Sequence, residues 1–566
     1  MTYRLSYAAL AAVVAVGLGS CSKKQGNFES SFFNTVPTPL ETVGENVPAT
    51  INGAIPAKFM VKNAKVTATP ELNWDWNGNS ALTASGSPVI FQGEDVRANG
   101  QVVSYQNGGS INIPFNVAYQ PGMEKSELYL NFSVEQKGKV YVLPRVKVGY
   151  GVIATSTLAS AATVQPAVAP DNFQKVITEK YSADIHFLIN QANVRSSQTS
   201  KTDYIDLNKK LIEANAAPNQ EIAALTVNSY ASPEGSYEFN EKLAQKREQN
   251  TAAYLENQLK KDKITEFGEL TSSFTPEDWE GFQQLVEKSN IQDKDLILSV
   301  LKMYKDPVQR EQEIRNLSSV FNELADQILP QLRYSRVMAT INVIGKSDQE
   351  LIDLFASDPS KLTADEMLYV ATLTDNNARK MEVYRKATQQ FPSDYRAFNN
   401  LGMTQYVARD YQAAAASYKK ALQLNPQSKE AEMNMGLIDL LEGRYSQASA
   451  QIGQAAGLPE AADALGVYYL TQGETSKALN AFGGAKTNNA ALAQILAKDY
   501  ASARSTLAAI PNPDATTYYL TAVLGARQNS ENMVMSNLRQ AIRLDSSLLQ
   551  RAKNDLEFAN YNLSYL

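Results

Sequence analysis

The stretch Tyr395-Arg-Ala-Phe398-Asn-Asn-Leu401-Gly402, followed by Ala414, Tyr418, Ala421 and Pro426, decides how the C-terminal third is read. Counted in a frame of about 34 residues, the same alternation of small and large positions returns along the chain. The next frame carries Met435, Gly436, Ala448, Ile452 and Ala455, and the one from Pro459 carries Leu465, Gly466, Tyr469, Ala478, Phe482 and Ala485. Backwards, Tyr384, Ala387 and Pro392 fit a frame from Lys361; forwards, Tyr518, Val534, Leu538 and Ala541 fit one from Ala515. A shorter, degenerate helix pair falls at 489–513. Glycine and alanine let two helices approach closely, and the large apolar residues fill the gap to the next pair. About six such units bury a continuous core that none could bury alone.

These signature positions resemble those of the tetratricopeptide repeat (TPR). The resemblance implies an α-solenoid over 361–550, a tail at 551–566, and a concave groove that grips an extended peptide or a partner helix. The candidate groove residues are Asn399, Gln405, Tyr406, Asn434 and Asp439, and envelope proteins are the expected partners.

Upstream, strands and helices alternate. Short apolar runs at 183–190 and 222–230 frame a helical pattern at 204–214, a long helix spans 237–259, and a late strand spans 337–344. This is the order of an α/β unit. The intervening 265–330 reads as a charged helical insertion. Within this region Asn228-Ser-Tyr-Ala-Ser-Pro-Glu-Gly235, then Asn240-x-x-Leu243-Ala-x-x-Arg247, Leu255 and Tyr334-Ser-Arg336-Val337 resemble the OmpA-like periplasmic domain. The resemblance covers about 180–264 and 330–346, within a domain bounded at 176–346, and implies peptidoglycan binding. In that family an Asp and an Arg hold the zwitterionic end of diaminopimelate, because a guanidinium fork matches a carboxylate and a carboxylate matches an ammonium. The Arg falls on Arg247 and the Asp position on Ser232, with Glu234 nearby as a carboxylate. Asn240 completes the candidate set.

From 51 to 156 the period is two. Ile111, Ile113, Phe115, Val117 and Tyr119 alternate with polar residues; so do Leu128, Leu130, Phe132 and Val134, and then Val140, Val142, Val146 and Val148. An antiparallel β-sandwich is predicted, with Pro114 and Pro144 on edge strands and Trp74 and Trp76 in the core or on its rim. Small, Pro-bearing 157–175 reads as an interdomain linker, and 347–360 as a connector. The predicted fold class is therefore multidomain α+β, ending in the solenoid.

The N-terminus runs apolar from Ala8 to Leu18 behind Arg4 and ends Leu18-Gly19-Ser20-Cys21. It reads as a signal peptide over 1–20. The sequence before Cys21 resembles a bacterial lipobox, which implies acylation of that thiol. Two or three acyl chains, at about 0.8 kcal/mol per buried CH₂, anchor a protein durably without a spanning helix. Ser22, Lys23 and Lys24 lack both the Asp of inner-membrane retention and an acidic surface-export run. By resemblance this favours the periplasmic face of an outer membrane. Polar 21–50 reads as a tether.

The chain has 566 residues, one Cys, one His and a formal charge of −6. One Cys and one His exclude an internal disulfide and a Cys/His zinc site. There is no basic surplus for nucleic acid, and no cofactor is expected. His186 reads as a packed strand residue rather than a base. Paired carboxylates of a wall glycosidase are not excluded by number, but no motif singles out a pair. The expected function is a lipid-anchored, non-enzymatic envelope scaffold, with a dedicated peptidoglycan anchor as the alternative.

Overall fold

A computed structural model describes residues 24–291, 294–316 and 318–566. The signal segment and Cys21 lie outside the described residues. The described chain divides into two compact units, one comprising residues 24–170 together with 374–566, the other lying within 171–373.

The first unit begins with a β-domain. Its strands are β1 (Phe33–Val36), β2 (Leu40–Glu41), β3 (Asn46–Ile55), β4 (Ala64–Trp76), β5 (Asn79–Ser85) and β6 (Val89–Gly93). They continue as β7 (Gln101–Val103), β8 (Gly109–Ala118), β9 (Glu127–Gln136), β10 (Lys139–Tyr150) and β11 (Val152–Ile153). One sheet has the order β1-β3-β8; the other is β10-β9-β4-β6-β7, with β5 pairing β4. Strict alternation in β4 turns Val66, Ala68, Leu72 and Trp74 into a core shared with Ile51, Ile113, Phe132 and Val134. Trp76, the neighbouring indole, lines a surface cleft of about 400 Å³ with Asp75, Asn79 and Asn554. Pro114 and Pro144 sit in β8 and β10, the outermost strands of their sheets, where a missing N–H leaves no ladder bond unmade.

Two expectations are corrected here. Residues 25–50 are not a tether: Gln25 is buried, and its side-chain oxygen accepts from Val61 N at 2.9 Å. Phe28 is buried with its ring 4.5 Å from that of Phe132. A polar average hid three phenylalanines whose apolar area suffices to fold the stretch onto the sheets. In β10 the register shifts between Leu143 and Val146. The bulge exchanges the two faces, so Leu143 faces the core and Val140 and Val142 are exposed.

The same unit holds the repeat array. Helix Asn377–Gln390 precedes five antiparallel pairs: Tyr395–Val407 with Tyr411–Leu424, Lys429–Leu441 with Tyr445–Gln454, Pro459–Thr471 with Thr475–Phe482, Asn488–Leu496 with Tyr500–Ala508, and Ala515–Arg527 with Glu531–Leu544. Asp394, Asp410, Ser428, Thr487, Asp499 and Asp514 cap helix starts with their side chains, satisfying otherwise orphaned N–H groups. A Cβ on Gly402 would stand 2.5 Å from the Tyr418 ring, and one on Gly436 2.7 Å from Ile452. The repeated glycines thus mark where two helices touch. The predicted tail at 551–566 is instead folded. Phe558 is buried with its ring 5.6 Å from that of Tyr519, whose hydroxyl donates to Asp555 at 2.6 Å.

The second unit contains a four-stranded sheet of β12 (Val176–His186), β13 (Gln220–Tyr230), β14 (Glu269–Thr275) and β15 (Tyr334–Ile344), in the order β12-β15-β13-β14. Strand β14 runs parallel to β13 and the other pairs are antiparallel. Helices Thr202–Ala216 and Tyr237–Lys261 supply Leu207, Leu211, Leu255 and Leu259 to the core against Ile185, Val227 and Val337. The insertion is therefore not wholly helical. Its start is the edge strand β14, whose Ser- and Thr-rich, mostly exposed sequence carries no clear alternation. The remainder forms helices around Phe282, Val286, Ile297 and Leu324. The connector at 347–360 contains a helix, Asp348–Ser357, closed by a Ser347–Glu350 capping box. His186 ends β12, half-buried, with its ring 6.0 Å from that of Tyr334, and burial holds its pKa below the ordinary value.

Candidate functional site

The concave face of the array is occupied by the chain itself. Residues 158–170, expected as a linker, lie along the first helices of the repeats. Val164, Ala167 and Ala169 are buried there, whereas Gln165 and Val168 face outward. The segment forms no strand, so its buried N–H and C=O groups need partners from elsewhere. Asparagine amides provide them, because one carboxamide offers a donor and an acceptor at the spacing of a residue's own N–H and C=O.

Three asparagines do this. Asn434 accepts from Ala167 N and donates to Ala167 O, both at 2.7 Å. Asn400 accepts from Ala169 N at 2.8 Å and donates to Ala169 O at 2.9 Å. Asn489 accepts from Ser160 N and donates to Ser160 O, both at 3.0 Å. Asn399 donates to Ala167 O at 3.1 Å and to Asn400 Oδ1 at 3.0 Å, and its own oxygen accepts from Asn434 at 3.0 Å. The Tyr406 hydroxyl donates to Ala161 O at 2.6 Å, and burial raises its pKa far above the usual phenol range. The groove reads mainly main chain; among strap side chains, the Thr163 hydroxyl accepts from Asn489 at 3.1 Å, and Leu158 and Val164 pack on the array core.

Of the five groove residues expected from sequence, Asn399, Tyr406 and Asn434 bind this strap. Gln405 instead accepts from Ser417 at 2.7 Å within its own helix pair, and Asp439 pairs with Arg444. Sequence reasoning missed Asn400 and Asn489. A signal for Asn400 was present, because Asn400 and Asn434 occupy the same position in successive frames. In the helix Pro459–Thr471, Asp463 has its carboxyl pushed up to about 6 by burial, with Thr487 as hydrogen-bond donor at 3.4 Å.

The β-domain meets the array next to the strap. Arg527 bridges Glu41 and Glu557, both at 2.6 Å, and Thr155 donates to Glu557 at 2.5 Å. The Ser156 hydroxyl, at the strap's start, lies 2.7 Å from Thr42 Oγ1 and from Gly44 O.

The second unit places its four candidates close together. Arg247 is fully buried and donates to the main-chain oxygens of Gln191 at 3.0 Å, Tyr230 at 2.8 Å and Leu188 at 3.4 Å. Its guanidinium lies 4.9 Å from the Phe187 ring, and burial, with Arg333 nearby, lowers its pKa to about 10. Glu234 is held bidentately by Arg333 at 2.9 and 2.8 Å and accepts from Ser232 at 2.9 Å. Asn240 donates to Gly235 O at 2.9 Å and to Glu277 at 3.3 Å. Arg333 was not anticipated, since it lies 99 residues from Glu234 in sequence. The charged ends expected to clamp a zwitterion are thus turned on groups of the chain itself.

The tetratricopeptide repeat family matches residues 395–428, the helix pair that carries Asn399, Asn400 and Tyr406. The chain has this protein-interaction module in its C-terminal third. Among solved structures it is similar to the Cut9–Hcn1 hetero-tetramer of the APC/C, at 15% identity and TM-score 0.33 over 37% of this chain and 45% of that one. A tetratricopeptide repeat protein from Parabacteroides merdae is 13% identical with TM-score 0.30, over 37% of this chain and 91% of that one. For Pseudomonas aeruginosa pilF the identity is 17% and the TM-score 0.29, over 38% and 100%. No curated protein matches the chain.

Proposed function

We propose that the chain is a non-catalytic scaffold, held through acylated Cys21 at the outer membrane and facing the periplasm. Its TPR array works first as an internal clamp. The array uses its peptide-reading face on 158–170, fixing the β-domain and the repeats as one block. Recruitment of envelope assembly or secretion proteins is left to surfaces outside the groove. The observation that carries this reading is the set of three asparagines, each pairing with both the N–H and the C=O of one strap residue.

The test is gentle detergent extraction followed by mass spectrometry of what accompanies the protein, comparing wild type with Asn400→Ala and Asn434→Ala. The same partners are expected in both. Partners lost in variants that remain folded would overturn the internal-clamp reading. Cys21→Ala should release the protein from the membrane.

The alternative, a dedicated peptidoglycan anchor, has the OmpA-like spacing of Asn240 and Arg247 in its favour. Against it stand the burial of Arg247 against three carbonyls and the capture of Glu234 by Arg333. Retention of the intact protein on purified peptidoglycan, lost in Glu234→Ala but kept in an unrelated surface variant, would restore it.

A further inference from the structure

The β-domain has two unlike ends. Its β2–β11 side, with Glu41, Glu45 and Gly151, meets the repeat array at Arg527, Tyr445 and Leu556. The opposite end is where β3, β6 and β9 finish and β4, β8 and β10 begin. The 13 residues of β4 run between the two ends, about 43 Å at about 3.3 Å per residue.

That second end also receives the N-terminus. Gln25 is buried there: its N donates to the Tyr141 hydroxyl at 3.1 Å, its side-chain amide donates to Phe59 O at 3.4 Å, and its oxygen accepts from Val61 N. Four residue steps separate Gln25 from Cys21. At full extension they span about 14 Å. An acyl chain on Cys21 therefore brings a bilayer surface within about 14 Å of this end.

The end is built for that neighbour. It presents seven basic side chains, Lys24, Lys58, Lys62, Lys65, Arg97, Lys137 and Lys139, against three acidic ones, Glu94, Asp95 and Glu135, all exposed except the half-buried Lys65, which pairs with Glu135 at 2.9 Å. Lys62 is paired with Glu94 at 2.9 Å. This local surplus stands in a chain whose formal charge is −6. Behind the Lys137–Lys139 turn, Val140 and Val142 are 68% and 71% exposed. Lysines with neighbouring apolar side chains suit an interface where anionic headgroups meet acyl chains, each basic residue near such a surface adding about 1 kcal/mol.

We propose that this end of the β-domain is a membrane-docking face for anionic phospholipid headgroups, which stands the TPR array off from the bilayer by the length of the β-domain. The proposal rests on acylation of Cys21. The test uses the full-length acylated protein in vesicles of phosphatidylethanolamine and phosphatidylglycerol at 7:3. A fluorophore is placed through Val142→Cys or, at the far end, Asn79→Cys, and quenched by headgroup-linked nitroxide lipid. The protein should float with the vesicles, with quenching at least threefold greater at 142 than at 79. The excess should shrink in Lys58→Glu/Lys137→Glu/Lys139→Glu. Flotation with equal quenching at the two positions overturns the docking face and leaves the anchor standing. Failure of the wild type to float, or equal flotation of Cys21→Ala, overturns the anchor and the docking face with it.

Discussion

Replacing Asn434 with alanine tests the strap most directly. Asn434 is fully buried and bonds to both main-chain groups of Ala167. In Asn434→Ala, the carbonyl of Ala167 keeps a donor in Asn399, at 3.1 Å. The buried N–H of Ala167 loses its acceptor, and Asn399 Oδ1 loses the amide that faced it. Each buried group left unpaired costs about 1–3 kcal/mol, so strap closure should weaken by about 2–6 kcal/mol. At about 1.4 kcal/mol per factor of ten, this makes strap opening roughly 30- to 20,000-fold more frequent. Hydrogen exchange read by mass spectrometry on peptides covering 158–170 measures it, with the array helix around Val523 as internal reference. Asn434→Asp turns a carboxylate oxygen on two acceptors, Ala167 O and Asn399 Oδ1, in a fully buried site, and should loosen the strap at least as much as alanine at neutral pH. Strap exchange changed by less than about threefold in Asn434→Ala would refute the clamp.

Three further outcomes follow from the same geometry. Gly402→Ala should lower stability by about 1–3 kcal/mol through its clash with Tyr418, whereas Gly453→Ala, with nothing within 4 Å of the added carbon, should be neutral or slightly stabilising in thermal melts. Asp463 has its folded pKa raised from 3.8 to about 6, so between those values the native state holds the extra proton and stability falls as pH rises. On the order of 3 kcal/mol is at stake; Asp463→Asn should flatten denaturation midpoints measured from pH 4 to 7, and an unchanged slope would contradict it. Arg527→Ala strips the cation from Glu557, whose side chain is 5% exposed, and should cost about 3–5 kcal/mol, seen as earlier proteolysis between the β-domain and the array.

What the sequence reveals of this molecule follows from how local each interaction is. The repeats are legible because Gly402 and Tyr418 touch within one helix pair, so the contact is written in neighbouring residues. The strap is not. Its polar partners stand 231 to 329 positions away, and nothing in a run of Ala, Val and Pro announces them, so it reads as a linker. Phe28 was obscured by polar neighbours, and the outward turn of Val140 and Val142 by a bulge around Pro144 that no alternation encodes. In the second unit the motif Asn240…Arg247 is visible, but its electrostatic fate is not, because Arg333 arrives from beyond the insertion.

A solenoid ordinarily holds together through nearest neighbours, so its ends fray and its middle unfolds piecemeal. The strap breaks that rule here, because one segment is bonded to repeats beginning at Tyr395, Lys429 and Asn488. Losing any one of those repeats loosens the grip of the others, which ties their stabilities into a single cooperative event. It also sets an order of assembly: the strap is synthesised hundreds of residues before Asn489, so the first unit closes only after most of the array has emerged.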